Sequence, residues 1–273
     1  MDPFSFVSGN LRGWSSPDQD GEHAWHYRAP LYAALLRERS PALIGFQEFL
    51  ETNHGDLESA LPFHAWAMGR LCGTREYVPI YWDTRRFRSI RTESFWLNPW
   101  REIKAVGWDA QNERAVTCVE LEDLETGNHL LVVNTHLDHL GEVARVRGAR
   151  LILDFLEEWP QAMPIILMGD FNSSPYRPIR RTAFTPRTFG LFAVAGFMDA
   201  YRSVTGVWPP PATFHDYRGT EYVPDQHGTW YIDWPLTRNL RVLSAEIIRN
   251  PPGTHPVSDH YPVEAVVTYT GES

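Results

Sequence analysis

The chain has 273 residues, 43% of them hydrophobic, which is enough apolar material for a well-packed core. Its formal net charge of −9 argues against a protein that holds nucleic acid mainly through a large basic surface. Two cysteines, Cys72 and Cys118, are too few for a disulfide scaffold or a cysteine-built metal site.

Nine segments along the chain predict β-strands. Most are rich in Val, Ile, Tyr or Trp, and turn residues bound them. In chain order they read FSFVSG, ALIGFQ, YVPIYW, AVTCVELEDL, HLLVVNTHL, PIILMGDF, TWYIDWPL, RVLSAEII and YPVEAVVTYT.

Two further segments show helical periodicity. APLYAALLRERS predicts a helix that starts near Pro30, spaces Leu31 and Leu35 four apart and ends at Ser40. EVARVRGARLILDFLEEW predicts a helix that ends before Pro160. We expect one face of the second helix to consist of Val143, Val146, Leu153 and Leu156.

A hairpin and a long apparent loop indicate how these elements are arranged. In VELEDLETGNHLLVVN, two strand patterns flank Thr126-Gly127-Asn128, which predicts a β-hairpin. Hairpins mixed with helix-linked strands imply mixed sheets covered by helices. The Pro-rich VWPPPATF reads as a surface loop, and no low-complexity linker is present, so we expect a single domain over residues 1–273.

The lengths of the apolar runs indicate whether the chain spans a membrane. The longest, such as LLVV and PIILM, are far shorter than a membrane-spanning helix, and no charged-then-apolar leader precedes the first strand. We therefore expect no membrane span and a cytoplasmic protein, although a signal peptide removed before this numbering would leave the same pattern. No protein partner is evident from the sequence.

Polar side chains stand where the predicted strands end or begin. Each alone has an ordinary explanation, such as a turn, a helix cap, an ion pair or a buried histidine. In a mixed α/β fold, however, strand ends on one edge line a common crevice. The convergence of so many predicted polar ends indicates a functional site formed by Asn10, Glu48, His136, Asp170, Asn172, Asp233, Asp259 and His260.

The composition of this set narrows the chemistry. Carboxylate and amide oxygens with two histidines suit a hard cation, with Mg²⁺ as the default and Mn²⁺ as a substitute, and the set has no cysteine or triple-histidine cluster suited to zinc. The chain has no Gly-rich phosphate loop, no dinucleotide fingerprint and no GxSxG elbow. Metal-assisted attack of water on a phosphate ester remains as the predicted reaction.

The ordered motifs resemble the endonuclease/exonuclease/phosphatase superfamily, which includes deoxyribonuclease I. The resemblance runs from GNLRGW to SDHYPV and is strongest to a compact bacterial group, through WHYR, IGFQE, EYVPIYWDTRRF, FWL, GWDA, NTHLDH, GDFN, TFH, IDW and SDHYPV. It implies an α/β (α+β) fold of the deoxyribonuclease I type, a four-layer sandwich of two mixed β-sheets flanked by helices.

The resemblance also implies roles for the polar residues. Glu48 is similar to the principal metal ligand of the family, with Asn10 and Asp259 completing or flanking the metal site. Asp170 would position or deprotonate the attacking water, and Asn172 would hold the phosphate.

Two histidines would flank the phosphate. His260 would contact the phosphate or move a proton, with Asp233 fixing its ring. Glu76 stands where the family places a carboxylate behind a second histidine, here His136. Two such carboxylate–histidine pairs can supply an acid and a base.

One departure from the family pattern leaves a phosphate contact unassigned. The family often has a basic residue two before the aspartate of the ID motif, and this chain has Tyr231 there. Arg12, Arg28 and Arg145 are candidates to replace that contact. Loops around Trp25, Trp108 and His215 are candidates to shape the pocket.

Three functions remain open at this point. The acidic balance favours an esterase for a small phosphoester, a phosphodiester or phosphomonoester. A DNA or RNA nuclease of the same fold is the alternative. An inactive binding module is a third reading, although such relatives usually lose the residue equivalent to Glu48 or His260, and this chain keeps both.

Overall fold

Two mixed six-stranded sheets pack face to face in the computed structural model, which describes residues 2–13, 21–70, 72, 76–175, 187–221, 230–250 and 253–271. Sheet I contains β1 (Phe4–Asn10), β2 (Leu43–Gln47), β3 (His64–Ala67), β4 (Ile80–Asp83), β11 (Leu240–Ile247) and β12 (Val263–Tyr269), in the spatial order β11-β12-β1-β2-β4-β3. Sheet II contains β5 (Phe87–Trp96), β6 (Ala115–Asp123), β7 (His129–His136), β8 (Ile165–Asp170), β9 (Met198–Asp199) and β10 (Asp233–Arg238), in the order β5-β6-β7-β8-β10-β9.

Helices flank the sheets. They are α1 (Trp25–Arg39), α2 (Glu51–Glu58), α3 (Glu142–Leu156), α4 (Arg187–Val194) and α5 (Ala200–Thr205), with short 3₁₀ turns at Gly21–His23 and Gly219–Glu221. The predicted fold class, two mixed sheets flanked by helices, is confirmed. Within the described residues, no helix is long and apolar enough to cross a bilayer.

Strand β8 shows why the fold has layers. Ile165 and Leu167 belong to the apolar cluster that includes the buried face of α3, whereas Ile166 and Met168 belong to the cluster between the two sheets. Successive side chains of a strand point to opposite faces, so a strand covered on both sides must be apolar at every position. The continuous run PIILM therefore marks a central strand of the sandwich.

The predicted strands are largely confirmed, and the misses have a physical cause. The hairpin of β6 and β7 forms with Gly127 at φ 72° in its turn. Strand β10 starts at Asp233, later than predicted, and β5 was not predicted. On β5, charged residues such as Arg88, Arg91 and Glu93 interrupt the apolar pattern, because this strand lies at the edge of sheet II and its middle is exposed or half-buried.

The predicted start of the first helix is wrong. Helix α1 begins at Trp25, and Pro30 lies inside it. The first turn is held by tertiary contacts, because Arg28 is fully buried and Trp25 donates a hydrogen bond to Asp56 Oδ2 at 2.7 Å. These contacts offset the backbone hydrogen bond that Pro30 removes.

The predicted face of the second helix is only partly the buried one, since Leu156 is buried and Leu153 packs half-buried against the same apolar cluster. Helix α3 buries Ala144, Gly148, Ile152 and Phe155, whereas Val143 is 50% exposed. At Gly148 an added Cβ would lie in ordinary contact with Leu97 and Leu137, at 3.6 and 3.7 Å, so the buried face is formed partly by small residues. The spacing of the large apolar residues alone therefore predicted a face of the helix next to the one that is buried.

A buried polar bridge joins the two sheets. Gln47 Nε2 on β2 donates to Asn134 Oδ1 on β7 at 2.7 Å, and Asn134 Nδ2 donates to the carbonyl oxygens of Phe46 and Pro79 at 2.7 and 2.8 Å. The sheets approach so closely here that a Cβ added to Gly45 would lie 2.9 Å from atoms of Asn134 and Met168. The bridge lies one residue before Glu48 and two before His136.

Removing this bridge should destabilise the fold. Asn134→Ala removes the side-chain donor of two buried carbonyl oxygens and the buried acceptor of Gln47 Nε2, so we expect a loss of about 2–4 kcal/mol in the free energy of unfolding. Asn128→Ala, in the hairpin turn, is the matched control and should change it by no more than about 0.5 kcal/mol. Urea denaturation measures both, and equal effects of the two substitutions would contradict the role of the bridge.

Asp199 makes stability depend on pH. Burial raises its pKa from 3.8 to about 6, even though its Oδ1 accepts hydrogen bonds from Arg202 N and Tyr231 Oη. A folded-state pKa above the unfolded one means that the contribution to stability is complete below the unfolded pKa and is lost as pH rises through about 6.

We therefore expect the stability of the wild type relative to Asp199→Asn to fall by about 2–2.5 kcal/mol between pH 4 and pH 7, since one pKa unit is worth about 1.4 kcal/mol. Denaturation at a series of pH values measures this difference. A difference that stays constant across the range would contradict the assignment.

Candidate active site

Two pairs of parallel strands bring the predicted residues together. In sheet I, β1 and β2 are parallel, with Asn10 opposite Gln47 at their carboxyl ends. In sheet II, β7 and β8 are parallel, with His136 opposite Asp170 at theirs. Because the two sheets face each other, both pairs of carboxyl ends open into one crevice.

The remaining predicted residues enter from antiparallel neighbours and turns. Asp233 starts β10 directly opposite Asp170. His260 precedes β12 and forms a bridge with Phe214. Glu48 and Asn172 adopt positive φ values of 49° and 47°, an uncommon conformation for non-glycine residues that tends to occur at functional sites.

One amide joins two of the carboxylates. Asn10 Nδ2 donates to Glu48 Oε1 at 3.0 Å and to Asp170 Oδ2 at 3.1 Å. Asn10 itself is held by the backbone N–H of Arg12, which donates to its Oδ1 at 2.9 Å. Two acidic side chains from different sheets therefore meet on a single nitrogen.

Asp170 is shifted towards its neutral form. Burial, followed by the charge of Asp233, raises its pKa to about 7, with a smaller contribution from Glu48. The backbone N–H of Asn172 donates to its Oδ1 at 2.8 Å. A carboxyl whose pKa lies near 7 can exchange a proton with a water molecule at neutral pH.

His260 is a charged histidine held by carboxylates. Its Nδ1 donates to Asp233 Oδ2 at 2.9 Å, and its Nε2 lies 3.9 Å from Asp170 Oδ2 and 4.0 Å from Asp259 Oδ1. Burial alone would lower the pKa of His260, but Asp233, Asp259 and Asp170 together raise it to about 10. The expected contact between Asp233 and His260 is therefore present in the structure.

His136 has a different partner from the one expected. Arg114 Nη1 lies 2.9 Å from His136 Nδ1, and Glu76 Oε2 lies 3.8 Å from the same Arg114 nitrogen. Burial and the charge of Arg114 hold the pKa of His136 well below its usual range. The structure thus places an arginine against the ring nitrogen where the sequence predicted a carboxylate.

Among the residues that the structure describes, two groups of side chains have the spacing to hold a metal ion. They are Glu48 with His136 and Asp170, and Asp170 with Asp233 and His260. The donor set fits a hard cation, because carboxylate oxygens dominate it and a cation would offset the charge repulsion between buried acids. Asp233 Oδ1 is buried and has no hydrogen-bond partner within the described residues, which also fits a site that attracts positive charge.

Asp259 lies outside both of these groups. Its Oδ2 is 3.8 Å from Arg12 Nε, and Glu48 Oε2 is 3.9 Å from Arg12 Nη1. The predicted assignment of Asn10, Glu48 and Asp259 to a metal stays a prediction.

The cleft above these groups has a volume of about 480 Å³. Its lining combines acidic groups and histidines with apolar and aromatic side chains. The described lining consists of Arg12, Glu48, Glu76, Asn112, Arg114, His136, His139, Leu140, Asp170, Asn172, Phe214, Trp230, Ile232, Asp259 and His260.

The three candidate arginines have different positions. Arg28 is fully buried and donates to the carbonyl oxygens of His23, Leu11, Val257 and Arg12, so its assignment to the substrate is wrong. Arg145 Nη1 donates to the Asp138 carbonyl oxygen at 2.7 Å. Arg12 lines the cleft.

The aromatic wall was only partly foreseen. Trp25, the first residue of α1, is buried in an apolar core cluster. Trp108 is 36% exposed and is not part of the described lining of the cleft. His215 is buried with its ring centroid 3.9 Å from that of Tyr261, whereas its neighbour Phe214 does line the cleft. Phe214 belongs to the TFH motif, which could have indicated its place in the cleft. No motif in the sequence indicated Arg114.

Comparison with known proteins relates this geometry to a family. No family model and no curated protein matches the chain. The endonuclease/exonuclease/phosphatase of Bacteroides vulgatus is similar to it, with 26% identity, a TM-score of 0.84, and coverage of 99% of this chain and 100% of the other. The fold is that of the endonuclease/exonuclease/phosphatase superfamily.

Two other solved structures share this fold at lower identity. The mannosyl-6-phosphatase of Bacteroides thetaiotaomicron is 23% identical, with a TM-score of 0.81 and coverage of 97% of this chain and 100% of that one. The protein TDP2 of D. rerio, complexed with a single-stranded DNA product, is 15% identical, with a TM-score of 0.75 and coverage of 98% and 100%. Members of the superfamily fold thus include both a phosphatase and a protein solved with DNA.

Metal binding at this site should stabilise the fold. We expect millimolar Mg²⁺ or Mn²⁺ to raise the melting temperature, because an ion at 100 times its dissociation constant adds about 2.7 kcal/mol. Glu48→Gln removes one carboxylate and should abolish most of the shift, whereas Glu58→Gln, at an exposed position on α2, should keep it. Thermal unfolding with and without the ion tests this, and an equal shift in both variants would contradict the site.

Proposed function

We propose that this chain is a divalent-metal-dependent phosphoester hydrolase, a single catalytic domain over residues 1–273 that uses Mg²⁺, with Mn²⁺ as a substitute. The observation that carries the proposal is the convergence of Asn10, Glu48 and Asp170 beside the Asp233–His260 pair. An acidic cluster next to a charged histidine, at the bottom of a cleft, suits attack of water on a phosphate ester.

The proposed metal site uses oxygen ligands at the strand ends of sheet I. Glu48 would be the principal ligand, with Asn10 and Asp259 completing or flanking it. A bound divalent ion supplies a Lewis acid that neutralises negative charge developing on the phosphate. Asn10 would also keep Glu48 and Asp170 in register, because its side-chain nitrogen contacts both.

The protein groups around the phosphate would divide the remaining work. Asp170 would position the attacking water and accept its proton, which its pKa near 7 permits. His260 would donate from Nε2 to a phosphate oxygen or to the leaving group, while Asp233 holds its ring through Nδ1. Asn172 would donate from its amide nitrogen to a phosphate oxygen.

A small phosphoester is the favoured substrate. A volume of about 480 Å³ lies in the range of small-molecule pockets. The net charge of −9 gives no general attraction for a polyanion. The phosphate-free part of such a substrate would lie against Phe214 and Trp230, which line the cleft beside His260.

A nuclease is the second candidate. The same aromatic wall favours it, because bases stack on aromatic side chains. The ring centroids of Phe214 and Trp230 are 6.0 Å apart. A nuclease of this charge would have to grip its substrate locally, through a group such as Arg12.

A substrate panel tests the proposal. We expect hydrolysis of p-nitrophenyl phosphate, bis-p-nitrophenyl phosphate or sugar phosphates with Mg²⁺ or Mn²⁺, and none with chelator. Asp170→Asn and His260→Ala should each lower kcat by about 10²–10⁴-fold. The matched controls are Asp154→Asn, exposed on α3, and His129→Ala, exposed on β7, and both should stay near wild type.

The outcomes separate the candidates. Preferential cleavage of DNA or RNA with a steep fall in rate as salt rises would support the nuclease. Full activity in Asp170→Asn and His260→Ala would refute the assigned site. Failure to hydrolyse any phosphoester would support the inactive binding module.

A further inference from the structure

The guanidinium of Arg114 lies against the back of the His136 ring. Arg114 precedes β6, its side chain is 8% exposed, and its Nη1 is 2.9 Å from His136 Nδ1. Glu76 Oε2 and Asp138 Oδ2 each lie 3.8 Å from a guanidinium nitrogen and balance its charge. Arg114 is thus a buried, charge-compensated donor aimed at one atom of the histidine.

This contact restricts the protonation of His136. A guanidinium has only N–H donors and no acceptor, so a hydrogen bond to Nδ1 requires that Nδ1 accept. A neutral imidazole carries one proton, which must then be on Nε2. His136 Nε2 faces the reaction site, 3.5 Å from Asp170 Oδ2.

The same restriction acts on Asn172. Its Nδ2 lies 3.0 Å from His136 Nε2 and 2.9 Å from the carbonyl oxygen of Leu137. A protonated Nε2 cannot accept from that amide nitrogen. Turning the amide over would place its oxygen against the Leu137 carbonyl oxygen, which cannot donate. One N–H of Asn172 and the N–H of His136 are therefore two neighbouring donors that a single anionic oxygen can accept together.

We propose that Arg114 is a positioning residue that holds His136 in the tautomer protonated on Nε2, so that His136 and Asn172 form a two-donor cradle for a non-bridging phosphate oxygen. This rests on the proposed phosphoesterase function for the identity of the anion. Glu76 then acts on the site by orienting Arg114. His136 differs in this from His260, whose ring a carboxylate holds through Nδ1.

The tautomer can be read directly in the metal-free protein. Long-range ¹H–¹⁵N spectra of protein labelled in its histidine rings distinguish the two nitrogens, and His136→Ala assigns the signals. We expect His136 in the wild type to carry its proton on Nε2. In Arg114→Met, which removes the donor, the Nδ1-protonated form should appear, whereas Arg114→Lys should keep the wild-type pattern.

Arg88→Met is the matched control, because Arg88 lies on the exposed edge strand β5 and pairs with Glu122. It should leave the His136 signals unchanged. A wild-type ring protonated on Nδ1 would overturn the inference, and so would an unchanged Nε2 tautomer in Arg114→Met. The wild-type spectrum decides even if Arg114→Met does not fold.

A double-mutant cycle separates positioning from direct substrate contact. Arg114→Met should lower kcat/KM by about 10–100-fold, as loss of an orienting partner typically does, and Arg114→Lys should recover most of it. In the His136→Ala background, Arg114→Met should cost less than about threefold if it acts through His136. Additive losses would show that Arg114 binds substrate itself and would overturn the inference.

The spectra also distinguish this inference from the proposed function. A wild-type Nε2 tautomer that depends on Arg114, in a protein that hydrolyses no phosphoester, would uphold the positioning role and remove the esterase. Phosphoester hydrolysis by a wild type whose His136 is protonated on Nδ1 would support the proposed function and overturn the positioning role of Arg114.

Discussion

The site depends on one constraint, the close approach of two sheets at the bridge between Gln47 and Asn134. An apolar contact would hold the two sheets together, but it is not directional and would not fix the position of one sheet relative to the other. A hydrogen bond of 2.7 Å between two buried side chains specifies the position of β2 in sheet I over β7 in sheet II. Gly45 makes the approach possible, because any side chain there would collide with Asn134 and Met168. Glu48 and His136 follow the bridge within two residues, so it also sets the distance across the cleft.

The two histidines of the cleft have opposite electrostatic surroundings. Asp233 contacts Nδ1 of His260 and favours a charged ring, whereas Arg114 contacts Nδ1 of His136 and favours a neutral one. In the proposed phosphoesterase, a charged and a neutral histidine would have different roles. This asymmetry suits a hydrolase in which one histidine moves a proton or offsets charge while the other only donates a hydrogen bond.

The strand ends could be predicted from the sequence, because a continuous apolar run indicates a central strand and the polar residues that follow it mark its end. Asp170 and Asp233 were each predicted as site residues from their own segments. Their contact follows from the antiparallel pairing of β8 with β10, which places them opposite each other. Arg114 could not be predicted, because a lone arginine before a strand has no pattern. Only the register that puts Val116 opposite Thr135 brings Arg114 to His136. Pro30 and Val143 misled the helix predictions because tertiary packing outweighed local preference.

The most direct test of the account is a crystal structure of the full chain with Mn²⁺ and orthovanadate, using anomalous scattering at the manganese edge to locate the ion. We expect a manganese peak bonded to a Glu48 carboxylate oxygen, with vanadate oxygens in contact with Asn172 and His260. A fully occupied manganese away from Glu48, or vanadate bound outside the cleft, would contradict the claim that the strand ends form a metal-dependent phosphoesterase site.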